Sequence, residues 1–116
     1  MYRIGEFASM TELTKETLRY YADIKLLEPV YVDPVNQYKY YDNGSYLMAR
    51  LLFYLRRFGF TIREMKDFVE KRSLDDLEDI LQEKKRKLYK QVEEITAVIQ
   101  DIDAFIDNGN GVGRND

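Results

Sequence analysis

Leu74, Leu81, Leu88, Ile95 and Ile102 recur at every seventh residue without a miss. A strand repeats every second residue, and an ideal straight helix drifts away from a strict seven. A repeat sustained this long, bounded by charged residues, therefore predicts a coiled-coil helix. The row three residues on reads Leu77, Lys84, Gln91, Val98 and Phe105. With Ser73 as its N-cap, the helix is expected over residues 73–107, roughly 30 residues or about 50 Å long. The preceding domain is too small to cover that stripe along its whole length. A second copy of the chain is the economical partner. Leu74, Leu77, Leu81, Leu88, Ile95, Val98 and Ile102 are the candidate dimerisation residues. Lys84 and Gln91 interrupt the seam: either they set register, or Lys84 snorkels past it while Val92 and Ile99 widen the stripe. Residues 108–116, rich in Gly and Asn, are expected to form a flexible tail.

The residues ahead of that helix read as one small domain over 1–72. Ile4, Phe7 and Ala8 fall at helical spacing, a break is expected at Met10-Thr11-Glu12, and Thr14 can cap a second helix running to about Ile24. Leu13 and Leu18 turn inward. Two short helices joined by a few residues form a helix-turn-helix candidate, ended by Glu28-Pro29. Val30-Tyr31-Val32 and Tyr38-Lys39-Tyr40-Tyr41 read as two strands around the turn Asp33-Pro34-Val35-Asn36-Gln37, a hairpin or wing. Asp42 or Asn43 can cap a third helix, with Leu47, Leu51, Leu55 and Phe58 on one face and Gly59 at its end. Thr61-Ile62-Arg63-Glu64 has the form of a capping box opening a fourth helix to about Lys71.

Charge is divided unevenly. Residues 1–72 hold 12 basic and 10 acidic side chains, a balance of +2, while residues 73–116 hold 6 and 11, a balance of −5, together making the net −3. The slightly basic front is where a polyanionic partner belongs. Two clusters there, Thr17-Leu18-Arg19-Tyr20-Tyr21 and Tyr38-Lys39-Tyr40-Tyr41, set a cation beside paired phenols. Arg and Tyr suit phosphate oxygens, although paired tyrosines also pack small cores. With neither Cys nor His in the chain, thiolate and imidazole metal ligands, Cys or His nucleophiles and disulfides are excluded. The acidic pairs Asp75-Asp76 and Glu93-Glu94 read as solvated helix surface, so no enzyme activity, catalytic residue, metal or cofactor is expected. No apolar run has the length of a membrane span and the N-terminus has no signal-peptide pattern, so a cytoplasmic protein is expected.

Tyr2-Arg3-Ile4-Gly5-Glu6-Phe7-Ala8, Thr17-Leu18-Arg19-Tyr20-Tyr21, Leu26-Leu27-Glu28-Pro29, Tyr38-Lys39-Tyr40-Tyr41 and Phe58-Gly59-Phe60-Thr61-Ile62-Arg63-Glu64-Met65 follow one another in an order and spacing that resembles the MerR family of bacterial transcription regulators. The resemblance covers residues 2–72. It implies a mainly α protein: a winged helix-turn-helix domain followed by a long helix that forms an antiparallel coiled-coil dimer. It further implies a homodimer on a pseudo-palindromic promoter operator, bending and untwisting double-stranded promoter DNA and reaching RNA polymerase indirectly through it. Carried over by position, Thr14, Lys15 and Thr17 form the base-facing turn of the recognition helix, and Arg19 and Tyr20 grip backbone. Tyr38 and Lys39 match the wing, and Arg56 matches a phosphate-contacting position. Tyr21, Tyr40 and Tyr41 are expected to be core or partly buried, and Arg57 and Arg63 to be solvated.

The chain departs from the family pattern in three ways. Lys39 stands where Arg is more common, and Lys25 and Gln37 stand where Gly is often found. The cysteines that metal- and redox-sensing members carry near the end of the dimerisation helix are missing, so the residues specify no effector. A Gly/Asn-rich stretch follows Ile106 where drug-sensing members continue into a ligand-binding domain, which fits either a truncated regulator or a short member with an unusual input. The competing reading is a coiled-coil interaction module whose winged helix binds protein instead of DNA.

Overall fold

Side-chain caps and left-handed turns decide where the front helices start and stop. A computed structural model describes residues 1–109, and the chain divides into two units, Met1–Ser73 and one that begins at Leu74. In the first unit the order is β1 (Tyr2–Arg3), α1 (Ile4–Thr11), α2 (Lys15–Asp23), β2 (Tyr31–Val32), β3 (Lys39–Tyr41), α3 (Asn43–Arg57) and α4 (Ile62–Lys71). Thr14 caps α2, its hydroxyl accepting the Thr17 N–H at 3.0 Å. Asp42 caps α3 by accepting the Ser45 N–H at 2.8 Å, and that bond holds its carboxyl below the ordinary Asp range. Thr61 and Glu64 satisfy each other's backbone N–H groups at 3.0 and 2.9 Å, a reciprocal box that opens α4.

Two helices end in the same geometry. Gly59, at φ 94°, donates to Arg56 O at 3.1 Å while Phe60 donates to Leu55 O at 3.0 Å. Lys25, at φ 61°, donates to Ala22 O at 3.1 Å while Leu26 donates to Tyr21 O at 2.8 Å. Both are paired 6→1 and 5→2 terminations, for which the left-handed residue is usually Gly.

The sheet runs β1-β3-β2, all antiparallel. β1 lies outside the sequence expectation of a two-stranded wing. Two residues are too few to show a period, and this pair becomes a strand only by pairing Tyr2 with Tyr41 and Arg3 with Tyr40. The core gathers Phe7, Leu18, Tyr21, Leu26, Tyr41, Leu52, Leu55, Met65 and Phe68. Tyr21 and Tyr41 face it, Tyr41 stacked on Phe7 with centroids 4.4 Å apart, and Tyr40 is half-buried, all three within the expectation.

Three local expectations need correction. α1 continues through Met10 and Thr11, because the buried Thr11 hydroxyl bonds back to Phe7 O at 2.8 Å and the chain turns only at Glu12, φ 67°. The buried row of α3 is Ser45, Ala49, Leu52 and Leu55; Leu47 is 70% and Phe58 42% exposed. Small side chains at Ser45 and Ala49 suit the close packing of α1 on α3, whereas the larger leucine at Leu47 sits on the outer face.

The third correction concerns the second unit. Ser73 does not open its long helix: a 3-10 turn over Leu74–Asp76 comes first, and α5 runs Leu77–Asp107, 31 residues. Leu74 therefore lies off the long helix, and its seven-residue spacing to Leu81 does not place the two on one helix face. Along α5, Leu88, Val92, Ile95, Val98, Ile99, Ile102, Phe105 and Ile106 are each more than two-fifths exposed, whereas Leu77, Leu81 and Lys84 are half-buried. Of the expected tail, Asn108 and Gly109 form a turn, and residues 110–116 lie outside the described residues.

Candidate nucleic-acid interface

The second helix of the helix-turn-helix presents its outer face between two clefts. α2 buries Leu18 and Tyr21 and leaves Thr14, Lys15, Arg19 and Tyr20 exposed. The cap organises the leading turn: Thr14 and Thr17 hydroxyls bond each other at 2.9 Å. Lys15 lies across the start of α1. A Cβ at Gly5 would stand 3.3 Å from Lys15 Cε, so the bare glycine makes room for that side chain.

On the wing side, Lys15 and Arg19 from α2 face Tyr38 and Lys39 across a cleft of about 340 Å³, completed by Arg3, Ile4 and Gln37. Four of its seven lining residues are cationic and none is acidic. Arg3 belongs to the first family motif, but the resemblance assigns it no site role. Its guanidinium carbon lies 4.0 Å from the centroid of the Tyr38 ring, a cation–π contact between positions far apart in sequence. The helix-period and motif signals around Arg3 are local, so nothing in them points to the wing.

The wing owes its shape to its turn. Asp33 Oδ1 accepts the N–H groups of Val35 and Asn36 at 2.8 and 3.3 Å, Asn36 Oδ1 accepts from Tyr38 N at 2.9 Å, and Gln37 takes φ 64°. Asx side chains replace backbone bonds that the turn leaves unmade. On the wing Tyr38 is exposed and Lys39 half-buried.

The second cleft, about 420 Å³, lies on the other side of α2 and is lined by Leu13, Thr17, Tyr21, Phe53, Arg56 and Arg57. Arg56 is anchored at the end of α3, one terminal nitrogen donating to Phe60 O at 3.0 Å. Burial pushes the Tyr21 phenol above its ordinary pKa, and the nearby Arg56 charge partly opposes that. The hydroxyl is therefore a neutral donor at physiological pH. Of the eight residues singled out in sequence, Lys15, Arg19, Tyr38 and Lys39 meet in the first cleft and Thr17 and Arg56 in the second. Thr14 sits at the helix start between them. Tyr20 lines neither cleft; it packs against Tyr21 with ring centroids 6.2 Å apart and remains 48% exposed.

No helix among the described residues is long and apolar enough to cross a membrane. The profile of the MerR HTH family regulatory proteins matches residues 2–72. The chain is 30% identical over 101 residues to the multidrug-efflux transporter 1 regulator of Bacillus subtilis (strain 168), an alignment covering 87% of this chain and 36% of that protein. The chain thus spans about a third of that relative's length. Its fold superposes on the N-terminus of MtaN, the Bacillus subtilis multidrug transporter activator, with TM-score 0.82 at 24% identity, covering 91% of this chain and 98% of that one. It superposes also on EcmrR in its DNA complex, with TM-score 0.71 at 26% identity, covering 96% of this chain and 40% of that chain. Members of this family are DNA-binding regulators of transcription and not enzymes. With a winged helix-turn-helix, a long helix behind it and the family profile matched across the front unit, this chain belongs to the MerR HTH family.

Proposed function

We propose that the chain acts as a homodimer on a pseudo-palindromic operator within promoter double-stranded DNA. In this reading residues 1–72 bind DNA and the long helix pairs two copies in an antiparallel coiled coil. Lys15, Arg19, Tyr38 and Lys39 hold phosphates on the wing side of the recognition helix, while Arg56 serves the other side. Thr14, Thr17 and Tyr20 complete the surface, with the leading turn towards base edges. The observation that carries it is the wing-side cleft, where cations from the helix and the wing converge with no carboxylate among the lining residues. Phosphate contacts fix register and supply affinity, and the short leading turn reads sequence. The similar EcmrR is seen bound to DNA, which supports the same use of the fold here.

Two-fold symmetry would place two such helices in successive turns of the major groove. Binding both half-sites then favours bent, untwisted DNA, a deformation of order 1–6 kcal/mol that the added contacts offset. RNA polymerase would sense the protein through the altered spacing of promoter elements. A salt titration on duplexes carrying candidate inverted repeats tests this. Log affinity should fall steeply and linearly with log salt as counterions are released. Absence of duplex binding at low salt would overturn the reading and favour a winged helix that binds protein.

A further inference from the structure

We propose that Arg3 is a phosphate-contacting residue, held in place by the Tyr38 ring, so that the N-terminal strand, recognition helix and wing grip one backbone phosphate together. This rests on the DNA-binding reading above. The cleft that Arg3 shares with Lys15, Arg19 and Lys39 gathers four cations without a lining carboxylate. Like charges so placed repel, and an anion between them relieves the repulsion. No ion pair engages the Arg3 guanidinium among the described residues, and its backbone N–H, not its side chain, is what meets Glu6 Oε1, at 3.3 Å. The charge is available.

Its orientation is prepared in two ways. Antiparallel pairing of Arg3 with Tyr40 ties its backbone to the central strand of the wing. The Tyr38 ring, its centroid 4.0 Å from the guanidinium carbon, holds the group over its face by cation–π attraction. A cation–π contact leaves the guanidinium N–H groups without a hydrogen-bond acceptor, so its fork is still open to bidentate contact with phosphate oxygens. Rotamer freedom already lost to the stack need not be lost again on binding. Lys15 lines the same cleft, with its Cε and Nζ lying close over Gly5. Three elements separated in sequence thus line one cationic cleft.

The test is a salt titration of the full chain against a mixed-sequence DNA duplex, since phosphate contacts do not depend on sequence. Wild type should bind with a steep slope. Arg3→Ala should bind more weakly, with the slope of log affinity against log salt reduced in magnitude by about 0.9, one phosphate contact. Arg3→Lys, which keeps the charge and loses the fork, should recover the slope while staying weaker than wild type. An Arg3→Ala variant with the wild-type slope overturns the inference even if its affinity falls, because Arg3 then only props the wing. Failure of Arg3→Lys to recover the slope overturns it too. If wild type itself binds no duplex at low salt, the DNA-binding reading falls and this inference with it.

Discussion

Lys25 and Gln37 hold φ values of 61° and 64°, a region in which a Cβ crowds the following carbonyl at about 1–2 kcal/mol per residue. Lys25 closes the recognition helix, and Gln37, which lines the wing-side cleft, closes the wing turn. At these two places the family resemblance expects Gly, and the backbone supplies the reason. Replacing either with Gly removes the clash but adds unfolded-state freedom of about 0.5–1 kcal/mol. Lys25→Gly or Gln37→Gly should therefore raise stability by about 0.5–1 kcal/mol, read as a higher denaturant midpoint at unchanged slope. A lower midpoint would mean that the left-handed turns are unstrained. Tyr41 offers the opposite kind of substitution. Its ring is fully buried against Phe7, yet its hydroxyl has no protein partner among the described residues. Leaving a buried donor unsatisfied costs about 1–3 kcal/mol. Tyr41→Phe keeps the stack and should stabilise by about 1 kcal/mol; destabilisation in a thermal melt would show that the hydroxyl is satisfied.

At the scale of elements, α3 separates what burial requires from what hydrophobicity suggests. Its leucines at Leu47 and Leu51 look like a core row, but the helix turns Ser45, Ala49, Leu52 and Leu55 inward. Leu52→Ala should cost about 2–5 kcal/mol as a cavity opens, while Leu47→Ala, on a side chain 70% exposed, should stay within about 0.5 kcal/mol. Equal effects in chemical denaturation would refute this assignment of faces. The same contrast explains how much could be read from the chain beforehand. Caps at Thr14, Asp42 and Thr61 and the end at Gly59 involve residues within a turn of each other, so sequence alone locates them. The rotation of α3 depends on how closely α1 approaches, and β1 exists only through its pairing with β3. Neither leaves a local trace. The start of α5 departs from the local signal for a related reason: Ser73 is a good cap by composition, but the 3-10 turn at Leu74–Asp76 intervenes. In the candidate site, Lys15, Arg19 and Lys39 carry a local motif signal, whereas Arg3 meets Tyr38 only once the sheet has formed.

For the molecule as a whole, the proposed dimer turns on the apolar face of α5, whose spacing decides how two copies would meet. Leu88, Val92, Ile95, Ile99, Ile102 and Ile106 are all exposed and alternate by four and three, the spacing of a coiled-coil seam. Pairing the heptad row with residues four positions on, instead of three, keeps Gln91 off the seam and puts Val92 in it. The two registers make different predictions. In the proposed dimer Val92→Asp buries a carboxylate in an apolar seam, which is strongly unfavourable, and should yield monomers in sedimentation at micromolar concentration. Gln91→Asp changes a flanking position and should leave the dimer intact. The reverse outcome would restore the register through Gln91 and Val98. The consequence carries to DNA. Linking two recognition helices makes the second half-site encounter intramolecular, raising apparent affinity by about 10²–10⁴ without a new contact. Val92→Asp should therefore weaken binding to an inverted repeat by orders of magnitude while leaving binding to an isolated half-site unchanged. Equal losses on both duplexes would place the defect in the winged domain and remove the case for a two-fold operator.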